Sequence, residues 1–289
     1  MTDQHDGEQR AKAGDGTDIK VAESSLDLPP SRLTRVVIVA SLQRSGSSLL
    51  SALLDSTGCV GVPREYLNPD ALSSASIAWG LPTQSVRGRL GQLRRRLRGD
   101  DDWQYRGLFT DQSIGTYLQA LTDRRTTASG IFAMKVQWAQ WSGAFLGTGQ
   151  TLDLWNAPIT WVRMTRTDEV AQAISLSRAQ QNQEWSSAWK ATRQAVYNER
   201  DIVRCINDTE RCRIGWDRYF LSIGVEPYVV NYESLMESTS ETVAGVMRWL
   251  GFPDVQPAPP STRRQAGTES EDWKQRFLKS YPEFKTRTI

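Results

Sequence analysis

The segment Val36-Val37-Ile38-Val39-Ala40-Ser41-Leu42-Gln43-Arg44-Ser45-Gly46-Ser47-Ser48-Leu49-Leu50 decides the fold. Val36 to Ala40 is a short apolar run rich in β-branched residues, as expected of a parallel strand buried on both faces. It passes directly into a polar turn. Leu49, Leu50, Leu53 and Leu54 then recur at helical spacing, and Gly58 stops the helix. Strand, tight polar loop and helix together suit an anion, because the first N–H groups of a helix are unpaired and partially positive. Such a dipole interaction contributes roughly 0.3–1 kcal/mol when exposed and up to ~2 kcal/mol when partly buried. Ser45, Ser47 and Ser48 add hydroxyl donors, Gly46 lets the backbone approach closely, and Arg44 adds a permanent forked charge. The competing reading is a plain helix cap; Arg44, between buried strand and cap, favours the anion.

Outward from this loop the same pattern returns. Ile131 to Met134 meets Lys135 and the aromatic pair Trp138 and Trp141. Ile159 to Val162 leads into Arg163 and Arg166, followed by a long helix expected from about Asp168 to Arg204, with a break near Trp185. Pro227 to Val230 reads as a fourth strand, followed by a helix ending at Trp249-Leu250-Gly251-Phe252. Alternating strands and helices predict an α/β fold: a P-loop-like three-layer sandwich whose central, mostly parallel sheet is flanked by helices. Residues 1–30 are polar, end in Pro29-Pro30 and read as a disordered tail. Residues 31–289 read as a single domain with an insertion at about 71–130, weakly ordered over 71–107.

Composition removes several classes of function. Among 289 residues, 35 basic against 33 acidic side chains leave a net charge of +2, not the broad basic field of a nucleic-acid binder. No apolar run reaches the ~20 residues of a membrane span, and the polar N-terminus does not read as a secretory signal. Cys59, Cys205 and Cys212 lack metal-ligand spacing, which suggests a reduced, cytoplasmic protein without structural zinc. The one histidine, His5, lies in the tail, so Ser-His-Asp, Cys-His and histidine-metal mechanisms are not expected. Any general base should be a carboxylate.

The loop differs from a nucleoside-triphosphate loop. The Walker pattern ends in Gly-Lys-Ser/Thr, and here Gly46-Ser47-Ser48 lacks the lysine. A magnesium-binding aspartate is expected after another strand, where this chain has Arg163 and Arg166. Arginines without a metal carboxylate suit an anionic donor bound without magnesium.

Gln43-Arg44-Ser45-Gly46-Ser47-Ser48-Leu49-Leu50 resembles the 5'-phosphosulfate loop of sulfotransferases, in particular the bacterial trehalose 2-sulfotransferase-like family. Further segments agree in order: Pro63-Arg64-Glu65-Tyr66, Lys135-Val136-Gln137-Trp138, Arg166 to Ser175, and Arg264-Gln265-Ala266 with Asp272-Trp273. Asn231-Tyr232-Glu233-Ser234-Leu235 and Trp249-Leu250-Gly251 resemble a general sulfotransferase segment. Together they span about residues 35–280. The resemblance implies transfer of a sulfuryl group from 3'-phosphoadenosine-5'-phosphosulfate (PAPS), released as PAP, to a hydroxyl of a carbohydrate, glycolipid or small-molecule metabolite.

By that resemblance, Arg44, Ser45, Gly46, Ser47 and Ser48 hold the phosphosulfate, and Arg166 and Ser175 hold the 3'-phosphate. Arg264, with Arg263 as a substitute, closes over the donor. Glu65 is the catalytic base, and Arg44 stabilises charge on the leaving phosphate. Lys135 sits near the leaving oxygen or the acceptor, and Trp138 and Trp141 form a wall for a sugar ring. Each has a plainer reading. Arg166 pairs with Asp168 or Glu169, Ser175 bonds back to its own helix, Glu65 pairs with Arg64, and the tryptophans pack the core. The chain departs from the family at Arg64-Glu65-Tyr66-Leu67, at Ser177 and over 68–130, so the resemblance carries the donor and the reaction, not trehalose as acceptor. The arginines from Arg87 to Arg98 read as a solvated face, or as a docking patch for an anionic acceptor or membrane surface. A homodimer is left open. A P-loop kinase with a degenerate loop and a non-catalytic nucleotide-binding protein are the alternative functions.

Overall fold

Strand β1 (Arg35–Ser41) lies between β2 (Ile131–Gln137) and β3 (Ile159–Thr165), and β4 (Tyr228–Asn231) pairs with the far side of β3. All of these pairings are parallel, in the order β2-β1-β3-β4. The computed structural model describes residues 21–81, 110–185, 191–255, 257 and 267–285. Its helices are α1 (Ser47–Asp55), α2 (Pro69–Ala78), α3 (Asp111–Arg125), the single turn α4 (Trp138–Trp141), α5 (Glu169–Asn182), α6 (Glu199–Ile223), α7 (Tyr232–Glu237), α8 (Thr239–Trp249) and α9 (Thr268–Ser280).

Successive strand side chains point to opposite faces, so β1 feeds two cores. Val36, Ile38 and Ala40 face one side with Phe132, Trp161, Leu118 of α3 and Trp216 of α6. Val37 and Val39 face the other with Leu50, Leu53 and Leu54 of α1 and Val243, Val246 and Met247 of α8. Burying each such side chain contributes about 1.5–3 kcal/mol. The result is the three-layer α/β sandwich. A third apolar cluster joins α5, α6 and α9 through Ile174, Ile206 and Phe277. Among the described residues, no helix is long and apolar enough to cross a membrane.

Three segments differ from the sequence reading. Residues 21–30, expected in a disordered tail, are placed against the domain. Val21 is fully buried, and Arg125, at the end of α3, donates to the carbonyls of Val21 (2.8 Å) and Glu23 (3.2 Å) and pairs with Asp27. Within the expected insertion, Asn68 caps α2 and Thr110 caps α3. Both helices bury apolar faces in the first core, through Ala71, Leu72 and Tyr117 among others. The Arg87 to Arg98 cluster lies outside the described residues.

The long helix expected over about 168–204, with a break near Trp185, is two helices, and the second runs well past Arg204. Gln183, at φ +62, ends α5 in a left-handed conformation. Asn198 then caps α6 by accepting from Arg200 N at 3.0 Å, and α6 continues to Ile223, where Gly224 at φ +63 ends it. The first stop lies two residues before Trp185, where the break was expected, although it carries neither glycine nor proline.

Candidate active site

The turn between β1 and α1 is built from two left-handed residues, Arg44 (φ +59) and Gly46 (φ +89). Ser45 closes it, with its amide (3.3 Å) and hydroxyl (2.7 Å) both donating to the Leu42 carbonyl. Gly46 caps α1 without a side chain, so no side-chain cap covers the first N–H groups of the helix. A Cβ here would stand 2.3 Å from Cδ2 of Tyr232, so backbone conformation and available space both require glycine. Buried Gln172 of α5 steadies the turn by donating to the Gln43 carbonyl at 2.7 Å.

A left-handed arginine costs roughly 1–2 kcal/mol, and its surroundings hold it there. Arg44 Nε donates to Ser175 Oγ at 2.9 Å and Nη1 to the Trp185 carbonyl at 2.6 Å. The Arg44 carbonyl in turn accepts from Arg166 Nη1 at 3.0 Å. The structure therefore brings Arg44, Arg166 and Ser175 together over the loop, and Ser175 bonds Arg44 from α5. Burial first, and the Arg166 charge second, push the Arg44 guanidinium below its ordinary pKa, against smaller opposing effects of Glu184 and Tyr232. Two arginines gathered at one loop, with Arg44 largely desolvated, make a place where an anion is stabilised.

The segment after β4 supports this corner. The Tyr232 ring lies beneath Arg166, with the guanidinium carbon 4.5 Å from its centroid. The Glu233 carboxylate accepts from the amides of Thr167 and Asp168, each at 3.1 Å. Asp168 accepts from Ala171 N at 3.0 Å and pairs with Lys274 at 2.6 Å.

Glu65 reaches the site through main-chain pairing. Arg64 forms a parallel bridge with Met134, and its carbonyl accepts from Lys135 N at 2.9 Å. That brings the Glu65 carboxylate to the C-terminal end of β2. Its Oε1 lies 3.1 Å from both Lys135 Nζ and Gln137 Nε2, and its Oε2 lies 2.8 Å from Gln140 Nε2. Lys135 is wholly buried and also donates to Ser48 Oγ at 2.9 Å. One ammonium thus joins the anion loop to the carboxylate. Burial alone would raise the Glu65 carboxyl, but the Lys135 charge and the hydrogen bonds from Gln140 and Gln137 outweigh it and hold the carboxyl below its ordinary value. The neighbouring backbone is locked by the Tyr66 hydroxyl on the Val62 carbonyl and the Tyr117 hydroxyl on the Tyr66 carbonyl, both 2.7 Å. Burial pushes the Tyr66 hydroxyl to about 12.

The tryptophans divide. Trp141 is fully buried, with ring centroids 3.8 Å from Phe145 and 5.2 Å from Trp161. It packs the core and forms no sugar wall. Trp138 is half-buried, edge-on to Trp216 at 5.2 Å, and lies across Gly215 of α6. Arg264 and Arg263 lie outside the described residues. The residue reading gave no role to Gln137, Gln140, Gln172, Tyr232 or Glu233. For Gln137 and Gln140 a signal existed: polar side chains three apart where a strand becomes a helix, the spacing of a cap and its N3 partner.

A family model described as Stf0 sulphotransferase matches residues 36–280. The chain belongs to the Stf0 sulphotransferase family. As a member of that family it is similar to the trehalose 2-sulfotransferase of Mycobacterium tuberculosis (strain Erdman), with 29% identity across 87% of this chain and 97% of the relative. A second trehalose 2-sulfotransferase, from Mycolicibacterium smegmatis, is 29% identical over 84% of this chain and 94% of its own length. Among solved structures, the sulfotransferase domain of the Synechococcus PCC 7002 olefin synthase matches with 14% identity and a TM-score of 0.39, over 86% of this chain and 96% of that one. The sulfotransferase domain of the curacin biosynthetic pathway matches with 15% identity and a TM-score of 0.40, over 83% of each chain.

Proposed function

We propose that this Stf0 sulphotransferase transfers a sulfuryl group from PAPS to a hydroxyl of a carbohydrate, glycolipid or small-molecule metabolite, without a metal ion and in the cytoplasm. One observation carries the reading: buried Lys135 bonds both Ser48 of the anion loop and Glu65, linking an anion cradle to a fixed carboxylate. The uncapped start of α1 and the convergence of Arg44 and Arg166 fit a doubly anionic donor.

PAPS supplies an activated sulfuryl group on a phosphate that can leave. The amides from Gly46 to Ser48 and the Ser47 and Ser48 hydroxyls hold its phosphosulfate end, and the Ser45 hydroxyl keeps the turn closed. Arg166 and Ser175 hold the 3'-phosphate and Arg264 closes over the donor, while Arg44 and Lys135 offset charge on the leaving side. Trp138 lines the approach of the acceptor ring. The acceptor oxygen forms a bond to sulfur as the bond from sulfur to the bridging oxygen breaks. That electron pair stays on the 5'-phosphate of PAP, and the hydroxyl proton moves to Glu65. Fixed charges that do not reorganise carry most of the acceleration in such loose, in-line transfers, and a positioned base contributes about 10²–10⁴-fold.

The test is mass spectrometry of a metabolite library that includes trehalose, incubated with PAPS. A product heavier by one sulfuryl group, lost in Glu65→Gln and Arg44→Ala, is expected. Absence of PAP binding by calorimetry would overturn the donor assignment.

A further inference from the structure

The Glu65 carboxylate is not evenly bonded. Oε1 receives two donors, Lys135 Nζ and Gln137 Nε2, both at 3.1 Å. Among the described residues, Oε2 receives one, Gln140 Nε2 at 2.8 Å. A carboxylate oxygen offers about two lone-pair sites, so Oε1 is filled and Oε2 keeps one site. The direction of the Gln140 carboxamide is fixed at its other end, where Oε1 accepts from Gln137 N at 3.0 Å. A backbone N–H needs an acceptor, so the NH₂ of Gln140 must face Glu65. Gln140 is itself buried, on the turn that begins α4.

We propose that Gln140 is the positioning residue of Glu65, turning the carboxylate so that Oε2 presents its remaining lone pair to the acceptor hydroxyl and takes its proton. This rests on the reading of Glu65 as base, and it identifies which oxygen acts and what aims it. Gln140 does not touch the acceptor. Lys135, from β2, is the charged group facing the carboxylate; Gln137, at the end of β2, and Gln140, from α4, face it as neutral donors, and Arg64 precedes it in its loop.

The test reads Glu65 directly. The full chain is prepared with carboxyl-¹³C glutamate, and the Glu65 resonance is assigned by its loss in Glu65→Gln. Gln140→Leu removes a donor to the ionised form, so the Glu65 titration midpoint moves up. Gln140→Glu keeps an acceptor for Gln137 N but sets a second carboxylate against Oε2, which moves the midpoint further up. It also carries the test if the leucine variant fails to fold. Midpoints equal to wild type in the folded variants would overturn the positioning role. With an acceptor from the library, Gln140→Leu lowers kcat by about tenfold and leaves the PAPS KM unchanged; an equal loss through KM alone would also count against it. The underlying reading fails separately, if Glu65→Gln transfers sulfuryl at the wild-type rate.

Discussion

Gly46→Ala tests the centre of the loop. At φ +89 an alanine costs roughly 1–2 kcal/mol in backbone strain. Its methyl would also stand 2.3 Å from Cδ2 and 2.9 Å from Cε2 of Tyr232, and 3.1 Å from Cε of Met164. The ring is not free to turn aside, because the Arg166 guanidinium sits over it at 4.5 Å. Overpacking of this kind costs about 1–3 kcal/mol. The expected loss is therefore about 2–5 kcal/mol, a large share of the ~5–15 kcal/mol typical of a folded domain. Urea unfolding of wild type and variant measures it. Tyr232→Ala separates the causes: in that background the methyl has room, and Gly46→Ala should cost only the strain, about 1–2 kcal/mol. If the loop gives way instead of the whole fold, a local cost of about 2 kcal/mol appears as roughly thirtyfold weaker PAP binding. An unfolding midpoint and PAP affinity both equal to wild type would refute the reasoning, as would an equal cost in the Tyr232→Ala background.

The remaining expectations concern the same supports. Glu65 titrates below its ordinary value when folded, so its stabilisation is present above the unfolded value of about 4.3 and fades as pH falls through the folded one. The stability gap between wild type and Glu65→Gln should therefore close on acidification in denaturant titrations; a gap independent of pH would contradict the ion pair. Arg125→Ala frees the carbonyls of Val21 and Glu23 together with Asp27. It should cost about 3 kcal/mol, allowing for the partly exposed Asp27, and admit protease cleavage between residues 21 and 30, an outcome read by mass spectrometry. Gly215→Ala sets a Cβ 2.2 Å from Cε2 of Trp138. It should lower the urea midpoint even though alanine favours a helix by about 1 kcal/mol, and a raised midpoint would show that Trp138 does not pack there.

What the sequence revealed follows from how local each signal is. The order from β1 through the loop to α1 needs only adjacent residues, and burial of Val36 to Ala40 on both faces follows from their unbroken apolar run. The lone histidine in the tail asked only for a carboxylate base, and the resemblance of Pro63-Arg64-Glu65-Tyr66 to the family singled out Glu65. Its partners were harder to see. The bonds from Lys135, Gln137 and Gln140 to Glu65 depend on the bridge between Arg64 and Met134, a pairing across about 70 residues that no local pattern encodes. Tyr232 under Gly46 is likewise a contact between distant segments. Trp141 misled for a physical reason: large aromatics suit both a sugar face and a core, and only the surrounding Phe145, Trp161 and Trp216 decide. The break near Trp185 was legible, but its exact residue was not, because an ordinary side chain, Gln183, adopts the left-handed conformation there.

The topology explains why the Glu65 carboxylate and the loop after β1 share one lysine. β1 and β2 are neighbours in register, with Val39 opposite Lys135. The loop leaving β1 and the carboxylate lying along β2 therefore meet at one end of the sheet, about a lysine side chain apart. Burying an ammonium completely is costly unless its donors are spent and its charge is paired. Ser48 and Glu65 meet both conditions from opposite sides. The same arrangement keeps Glu65 ionised at neutral pH, although burial alone would favour its neutral form. Ion pair and loop are thus stable together: removing Lys135 would leave a desolvated carboxylate without its counter-charge and deprive Ser48 of its donor at the same time.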